Sequence, residues 1–420
     1  MDKITSLRGF RDISGEEAEK FISIELASRD IFDLFGFREI SIPILEKTEL
    51  FKRSIGDTTD IVEKEMFTFT DRNGDSLTLR PEATAGVVRH YLQEGLFSKE
   101  RTSRLFTIGP MFRHERPQKG RFRQFHQVDV EVFGAAAPIV DAELVWLITL
   151  LLDRLAVRKY TIELNSVGCK ECREPFREVL ISHFSAHKEA LCVDCQGRLT
   201  RNPLRIFDCK SQGCIELGLT SPLLFDHLCE TCKTHYDALI QCLDAFGVPV
   251  TVNKRLVRGL DYYTRTVFEV TSQDLGAQNA FLAGGRYDNL VQEMGGPSVP
   301  GIGFAVGMER LASLMGESRA TGRPRYFLAS VGEKATPLRI PIVRALAEHG
   351  LPISYAPDPR SLKSQMRHAD AIKADYVLIL GEGELERGIM LVRNMRSGAQ
   401  AELPLDIATL PDRLKQLLLE

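Results

Sequence analysis

Arg113 and Glu115 close one β-like run, and Phe125, Gln127, Asp129 and Glu131 recur at every second position of the next. Side chains alternate across a strand, so those four share one face, and Val128, Val130 and Val132 share the other. In the first run Phe106 and Ile108 take the apolar side, while Thr107, Gly109, Met111 and Arg113 take the opposite one. An antiparallel hairpin over 104–134 therefore has an apolar underside and a top of cations, carboxylates and one aromatic ring. Such a surface suits a ligand with a phosphate at one end and a base or amine at the other. A second set of reactive residues lies further on. Eight of nine cysteines fall in pairs, Cys169/Cys172, Cys192/Cys195, Cys209/Cys214 and Cys229/Cys232, with Cys242 left over. Thiolate pairs at this spacing have the geometry of tetrahedral zinc sites. Two four-cysteine sites, one site with spare thiols, and reduced thiols without metal all satisfy the spacing.

These residues need a scaffold of more than one core. The chain has 420 residues, which predicts roughly two or three domains. Its 44% hydrophobic and 26% charged content is that of a globular protein, and a net charge of −3 argues against a general nucleic-acid coat. No apolar run reaches the length of a membrane span and the first residues lack a signal-like apolar stretch, which predicts a cytoplasmic protein. Nine cysteines in such a chain argue against a disulfide framework.

Ser14 with Glu17 predicts a capping box for a helix over 21–35, ended by Gly36. A strand is expected over 37–45 despite Pro43, then a mixed segment over 66–80, the hairpin, and a helix over 138–155. Stretch 167–246 holds all the cysteines and reads as short helices inserted into a larger antiparallel α/β domain. A strand pattern resumes at 262–271. Beyond a polar linker at 316–325, alternating strands and helices predict a small α/β domain with a mostly parallel sheet.

Five stretches in order carry a resemblance. Residues 36–56, 104–134 and 301–311 resemble the three motifs of class II aminoacyl-tRNA synthetases. LVRGLDYYTRTVFE at 256–269 and AGGRYDNL at 283–290 resemble the pair peculiar to the histidyl-tRNA synthetase family. The resemblance covers nearly the whole chain. It implies a class II catalytic domain at 1–320, interrupted by the 167–246 insertion, and an anticodon-binding domain at 326–420. It implies ATP with Mg2+, L-histidine and tRNA(His) as substrates, and a homodimer. Histidine would be activated as the adenylate and passed to the 3′ end of the tRNA. By match to the motifs, Arg113 and Arg258 are the catalytic arginines on the α-phosphate and Arg310 meets the far phosphates. Phe125 stacks on adenine and Glu115 meets its amino group. Glu82, Ala83, Thr84 and Gln127 surround the histidine ammonium, while Glu131, Tyr262 and Tyr263 belong to the imidazole side. Because neighbouring strand residues face opposite ways, Tyr262 is expected to serve mostly in packing. Loop 116–120 would reach the tRNA acceptor end, and Arg360, Lys363, Arg367 and Lys373 could touch RNA phosphates or form a solvated face. Zinc, where present, would be structural, since four thiolates leave no open position.

Three other readings compete. A non-catalytic relative of the family serves as regulatory subunit of ATP phosphoribosyltransferase, but it lacks the anticodon domain and the catalytic arginines present here. A zinc-ribbon nucleic-acid module explains only 167–246. Gly301, Gly303 and Gly307 suggest a dinucleotide fold, but no βαβ pattern surrounds them, and Arg323 and Arg325 stand where an acidic ribose ligand belongs. Those glycines are instead expected to let strand and helix pass beneath ATP.

Overall fold

The structure is a computed structural model that describes residues 3–56, 59–118, 120–276, 278–316, 325–358 and 361–417. Lys119, Arg323, Arg360 and nearly all of the expected linker lie outside the described residues. The chain divides into two compact units, Met1–Ala320 and Thr321–Glu420.

The first unit contains β1 (Arg38–Glu39), β2 (Leu45–Lys47), β3 (Phe67–Thr70), β4 (Ser76–Leu79), β5 (Ser103–Phe112) and β6 (Gln124–Phe133). It continues with β7 (Thr161–Ser166), β8 (Thr251–Val252), β9 (Thr264–Thr271), β10 (Ala280–Arg286) and β11 (Gly301–Gly307). Eight strands form one sheet in the order β1-β5-β6-β11-β10-β9-β7-β8, and β2-β4-β3 form a small second sheet. From β5 to β7 every pairing is antiparallel. The hairpin stands in the predicted alternation: Val128, Val130 and Val132 pack with Ile302, Phe304 and Val306 under helices Gly15–Leu34 and Pro138–Arg154. β11 lies between two antiparallel neighbours, so its glycines are not those of a dinucleotide fold.

Two local expectations are corrected. Helix Gly15–Leu34 has Ser14 at its N-cap without a side-chain cap bond. The Glu17 carboxylate pairs with Arg11 instead, because a guanidinium offers it a charged partner that an amide does not. Residues 37–45 do not form one strand. β1 joins the large sheet beside β5, and β2 joins the small one, with Pro43, which has no amide hydrogen, between them.

Helices Lys170–Ser185, Val193–Arg201, Gln212–Thr220 and Glu230–Ala245 fill the cysteine-rich stretch. The last of these sends Tyr236, Leu239 and Leu243 into the core beneath the large sheet. A buried charge knot fastens the same core. Fully buried Arg286 donates from Nη2 to Asp141 Oδ1 at 2.6 Å, and Asp141 Oδ2 also accepts from Thr266 Oγ1 at 2.7 Å and faces His235 Nε2 at 2.9 Å.

In the second unit, β12 (Tyr326–Ser330), β13 (Ile353–Tyr355), β14 (Tyr376–Leu380), β15 (Ile389–Asn394) and β16 (Gln400–Pro404) run in the order β13-β12-β14-β15-β16. β12 pairs in parallel with β13 and β14, but β14–β15 and β15–β16 are antiparallel, so the sheet is mixed rather than mostly parallel. Edge strand β16 was not anticipated because Gln400–Pro404 buries no residue fully and shows no apolar run. Alternate residues of β12 and β14 pack into separate cores: Leu328 and Leu378 with Ile342 and Leu414, and Phe327 and Val377 with Ala369. Lys363, Arg367 and Lys373 are exposed.

Candidate active site

A cleft of about 670 Å³ opens on the face of the large sheet that Gln127, Asp129 and Glu131 share. Glu131 lies buried at its floor. Its carboxylate accepts from Thr84 Oγ1 at 2.6 Å and from the Tyr287 hydroxyl. The space for it comes from the neighbouring strand. Gly303 stands opposite Glu131, and a Cβ there would sit 1.8 Å from Glu131 Oε2. The next strand continues the gap with Gly285, at φ +157°, where a Cβ would meet the Tyr263 ring at 2.9 Å. At Gly303 the structure thus shows a glycine making room for a carboxylate rather than for ATP.

Two more carboxyls line this cleft. Glu82 accepts the backbone N–H groups of Thr84 at 2.8 Å and Ala85 at 2.9 Å, at the start of helix Thr84–Gln93, with buried Ala83 between. Asp129 is buried with Oδ2 unpartnered among the described residues, and Gln127 Oε1 is likewise unpartnered. Burial raises the affinity of all three carboxyls for protons. It pushes Glu131 up to about 8 against the hydrogen bonds from Thr84 and Tyr287. Glu82 is raised by burial against its helix amides, and Asp129 is held well above the usual range by burial and by the other two carboxyls. Such a floor favours a guest that brings positive charge or N–H donors.

Tyr262 and Tyr263 both line the cleft, with ring centroids 4.9 Å apart. The expectation that they face opposite ways fails because β9 begins only at Thr264, and the turn before it does not alternate.

Cations line the same cleft. Arg113 donates from Nε to Pro81 O at 2.9 Å and holds its guanidinium 5.3 Å from the centre of the Phe125 ring. Arg258 pairs with Glu269 and keeps its buried Nε without a partner among the described residues. Arg310, on helix Met308–Leu314, donates from Nε to Gly120 O at 3.0 Å and so reaches the hairpin loop. Glu115 is engaged by Arg121 at 3.0 Å. Arg116 and Gln118 of that loop are exposed. The cleft therefore offers cations to a polyanion and carboxyls to a cationic or N–H-bearing group.

Sequence reasoning did not single out Tyr287 or Arg121. Tyr287 lies inside the AGGRYDNL stretch, but its tie to Glu131 bridges 156 positions, which no local pattern reveals.

The eight paired cysteines gather into two sets, Cys169, Cys172, Cys229 and Cys232, and Cys192, Cys195, Cys209 and Cys214, each with its sulfurs within 4.8 Å of one another. Cys169 Sγ is 3.7 Å from Cys172 and 3.8 Å from Cys229, and Cys192 Sγ is 3.7 Å from Cys209. Four sulfurs about 2.3 Å from a central zinc would stand roughly 3.8 Å apart, whereas a disulfide would need about 2.05 Å. Backbone amides point at the sulfurs, Cys229 N at Cys172 at 3.1 Å and Cys192 N at Cys214 at 3.2 Å, as suits thiolates. The first set joins Cys169 and Cys172 to Cys229 and Cys232, and the second comes from the sequence between them; they are called proximal and distal below.

With this geometry in place, comparison with known proteins is informative. Residues 9–171 and 221–311 match the family profile described as histidyl-tRNA synthetase, and 326–417 match an anticodon binding domain. The interval 172–220, which contains the whole distal cysteine set, lies between the matched stretches. Histidine–tRNA ligase of Geobacter sulfurreducens is 46% identical, covering 96% of this chain and 97% of its own length. The enzyme of the same name from Desulfosudis oleivorans is 48% identical, covering 95% of each. Among solved structures, apo histidyl-tRNA synthetase of Staphylococcus aureus superposes with a TM-score of 0.79 at 32% identity, over 98% of this chain and 100% of that one.

Proposed function

The chain belongs to the histidyl-tRNA synthetase family, and from that premise we propose how its cleft divides the work of joining histidine to tRNA. The enzyme is an ATP-dependent ligase that activates L-histidine as histidyl-adenylate and transfers it to the 3′ end of tRNA(His). The observation that carries the assignment of the site is one cleft that holds both a buried carboxylate fitted into a glycine gap and the arginines Arg113, Arg258 and Arg310.

Histidine lies at the floor. Glu131 accepts an imidazole N–H while Thr84 and Tyr287 fix its carboxylate, and Tyr262 and Tyr263 wall the ring. Glu82, the backbone at Ala83, Thr84 and Gln127 surround the ammonium. ATP enters as its Mg2+ complex. Phe125 stacks on adenine, Glu115 takes its amino group, and Arg310 binds the outer phosphates. A histidine carboxylate oxygen attacks the α-phosphorus; the new P–O bond forms as the bond to pyrophosphate breaks, and pyrophosphate leaves. Negative charge builds on the phosphoryl oxygens, and Arg113 and Arg258 stabilise it from opposite sides. A hydroxyl of the terminal tRNA ribose then attacks the histidyl carbonyl and AMP departs. Exchange of labelled pyrophosphate into ATP that requires both histidine and this cleft tests the assignment.

The charge state of Glu131 sets a pH dependence. Its carboxyl titrates near 8 in the folded protein against an ordinary 4.5, so the folded state binds the extra proton between these values. The contribution of Glu131 to stability is therefore fully present below about 4.5 and is lost as pH rises through about 8. An N–H donor relieves the ionised form. Histidine affinity should rise from about pH 7 to about pH 8.5, by up to tenfold per unit below the midpoint, and Glu131→Gln should flatten that rise. Calorimetric titration checks it; affinity that falls over this window means that Glu131 donates to the ring instead.

The second unit matches an anticodon-binding domain, and exposed Lys363, Arg367 and Lys373 offer it phosphate contacts. Arg116 and Gln118 of the hairpin loop are placed to meet the acceptor end. Losing two base contacts of about 1–2 kcal/mol each should reduce charging roughly 10²-fold. Deleting Tyr326–Glu420 should do so while histidine-dependent exchange falls far less. Equal losses in a truncated protein of unchanged dimeric mass would refute the RNA-reading role. The homodimer itself is supported by the first class II motif at 36–56, and a solution mass measurement tests it. No helix among the described residues is long and apolar enough to cross a membrane, and a cytoplasmic location fits the substrates.

We also assign each cysteine set one zinc ion. Sulfur spacing near the tetrahedral edge and amides aimed at the sulfurs support it. Four thiolates would close the coordination shell, so the ions are structural. Metal analysis should find about two zinc ions per chain.

A further inference from the structure

Arg258 belongs to a segment, 253–263, that is neither strand nor helix. The catalytic sheet holds one edge of it: Asn165 Nδ2 donates to Leu256 O at 2.9 Å, and Glu269 pairs with the Arg258 side chain. The insertion holds the other edge at five points among the described residues; two of them lie near the proximal set, where Arg173 Nη2 donates to Tyr263 O and Lys254 Nζ donates to Asp226 Oδ1 at 2.9 Å. Arg255 donates from Nε to Gly218 O at 3.1 Å and from Nη2 to Leu219 O at 2.6 Å. Arg205 Nη1 donates to the carbonyl of Arg258 itself at 3.2 Å. Asn202 Nδ2 donates to Asp261 Oδ1 at 2.9 Å.

The other three points lie between or beside ligands of the distal cysteine set. Asn202 and Arg205 stand on the turn that runs from Cys195 to Cys209, and Gly218 and Leu219 end the helix that carries Cys214. Cys195 and Cys214 are buried in one apolar cluster with Leu199, Ile206, Leu256, Tyr262 and Tyr263. The pieces of this lobe are short. Helices Val193–Arg201 and Gln212–Thr220 have nine residues each, below the roughly 12 that make an isolated helix even marginal in water. Four metal–sulfur bonds would join them.

We propose, resting on the zinc assignment above, that the distal set binds a divalent zinc-type ion that positions the Arg258 segment for the activation step. The contacts beside the proximal set fall at Lys254 and Tyr263, near the ends of the segment, whereas the contact to the carbonyl of Arg258 comes from the distal lobe, through Arg205. Arg205 and Asn202 are positioning residues. They act through the backbone at Arg258 and the side chain of Asp261. Losing the ion loosens the turn 202–208, the carbonyl of Arg258 loses its donor, and the guanidinium drifts from the line of attack. A displacement near 1 Å at such a group costs about 10²-fold in rate.

The experiment uses the full-length enzyme with zinc content, histidine-dependent pyrophosphate exchange and solution mass measured together. Cys209→Ser should lower zinc from about two to about one per chain and reduce the exchange kcat by about 10²-fold. Cys209→His keeps a tetrahedral nitrogen–sulfur ligand set and should restore both zinc and most of the rate. Arg205→Ala should keep both ions and still lower kcat, because it cuts the link rather than the anchor. Cys242→Ser, outside both sets, should change neither. A Cys209→Ser protein that loses one ion yet exchanges within about twofold of wild type overturns the coupling and leaves the zinc assignment standing. Wild-type protein without zinc overturns the zinc assignment, and the coupling with it. If Cys209→Ser does not fold, Arg205→Ala decides: wild-type exchange with both ions bound overturns the proposal.

Discussion

Arg258→Ala should lower histidine-dependent pyrophosphate exchange by about 10²–10³-fold, with the apparent ATP affinity changing by less than about tenfold. Before substrate arrives the guanidinium is already half-buried and paired with Glu269, so its position is set in advance. A preorganised cation in a dry cleft does most for the state in which charge is greatest, and that is the pentacovalent phosphorus. Removing it takes stabilisation from the transition state more than from bound ATP, so kcat carries the loss. Arg258→Lys should recover only part of the rate, because an ammonium cannot span the planar geometry that the fork supplies. The variant also leaves Glu269 without its cation, and Arg258→Ala/Glu269→Gln separates that effect. Near-normal exchange in the single variant would remove Arg258 from the chemistry.

Glu131→Ala should raise the histidine concentration needed for half-maximal exchange by about 10²–10³-fold and the ATP requirement by less than about threefold. Three losses coincide at that position. The imidazole N–H is left buried without an acceptor, and Thr84 Oγ1 and the Tyr287 hydroxyl lose theirs. A hydrogen bond to a charged group is worth about 1.5–3 kcal/mol, and stranding a buried donor adds about 1–3 kcal/mol. Glu131→Gln keeps the size of the side chain in the Gly303 gap and one acceptor, and should lie between alanine and wild type. Equal shifts for histidine and ATP would mean that Glu131 supports the sheet rather than the ligand.

What could be read in advance depended on whether its cause was local. The hairpin was legible because a period of two over Val128, Val130 and Val132 fixes both faces at once. The arginines of the cleft were legible only through their motifs, since Arg113, Arg258 and Arg310 come from three separate elements. Cysteine spacing showed which neighbours share a site but not which pairs combine. Cys169/Cys172 joins Cys229/Cys232 across about 60 residues of chain, a choice made by the tertiary fold. Strand alternation did not apply to Tyr262 and Tyr263, because β9 begins only at Thr264; Tyr262 both packs in the core and lines the cleft. Glu17 was misread as a capping residue because its real partner, Arg11, precedes the helix.

The glycine gap beside Glu131 creates a difficulty that the Arg286–Asp141 knot answers. β10 reads Ala-Gly-Gly through its middle, and a strand with so few side chains has little to hold its alignment against its neighbours. A slip by one residue would turn Arg286 to the pocket face and bring Tyr287 to the helix-covered one. Asp141, fully buried, would keep His235 and Thr266 but lose its cation, and breaking such a pair costs about 3–5 kcal/mol. The ion pair thus acts as an indexing pin. It is set on the side of the sheet away from the substrate, and it keeps the bare stretch of β10 in register with Gly303, the residue that leaves room for Glu131.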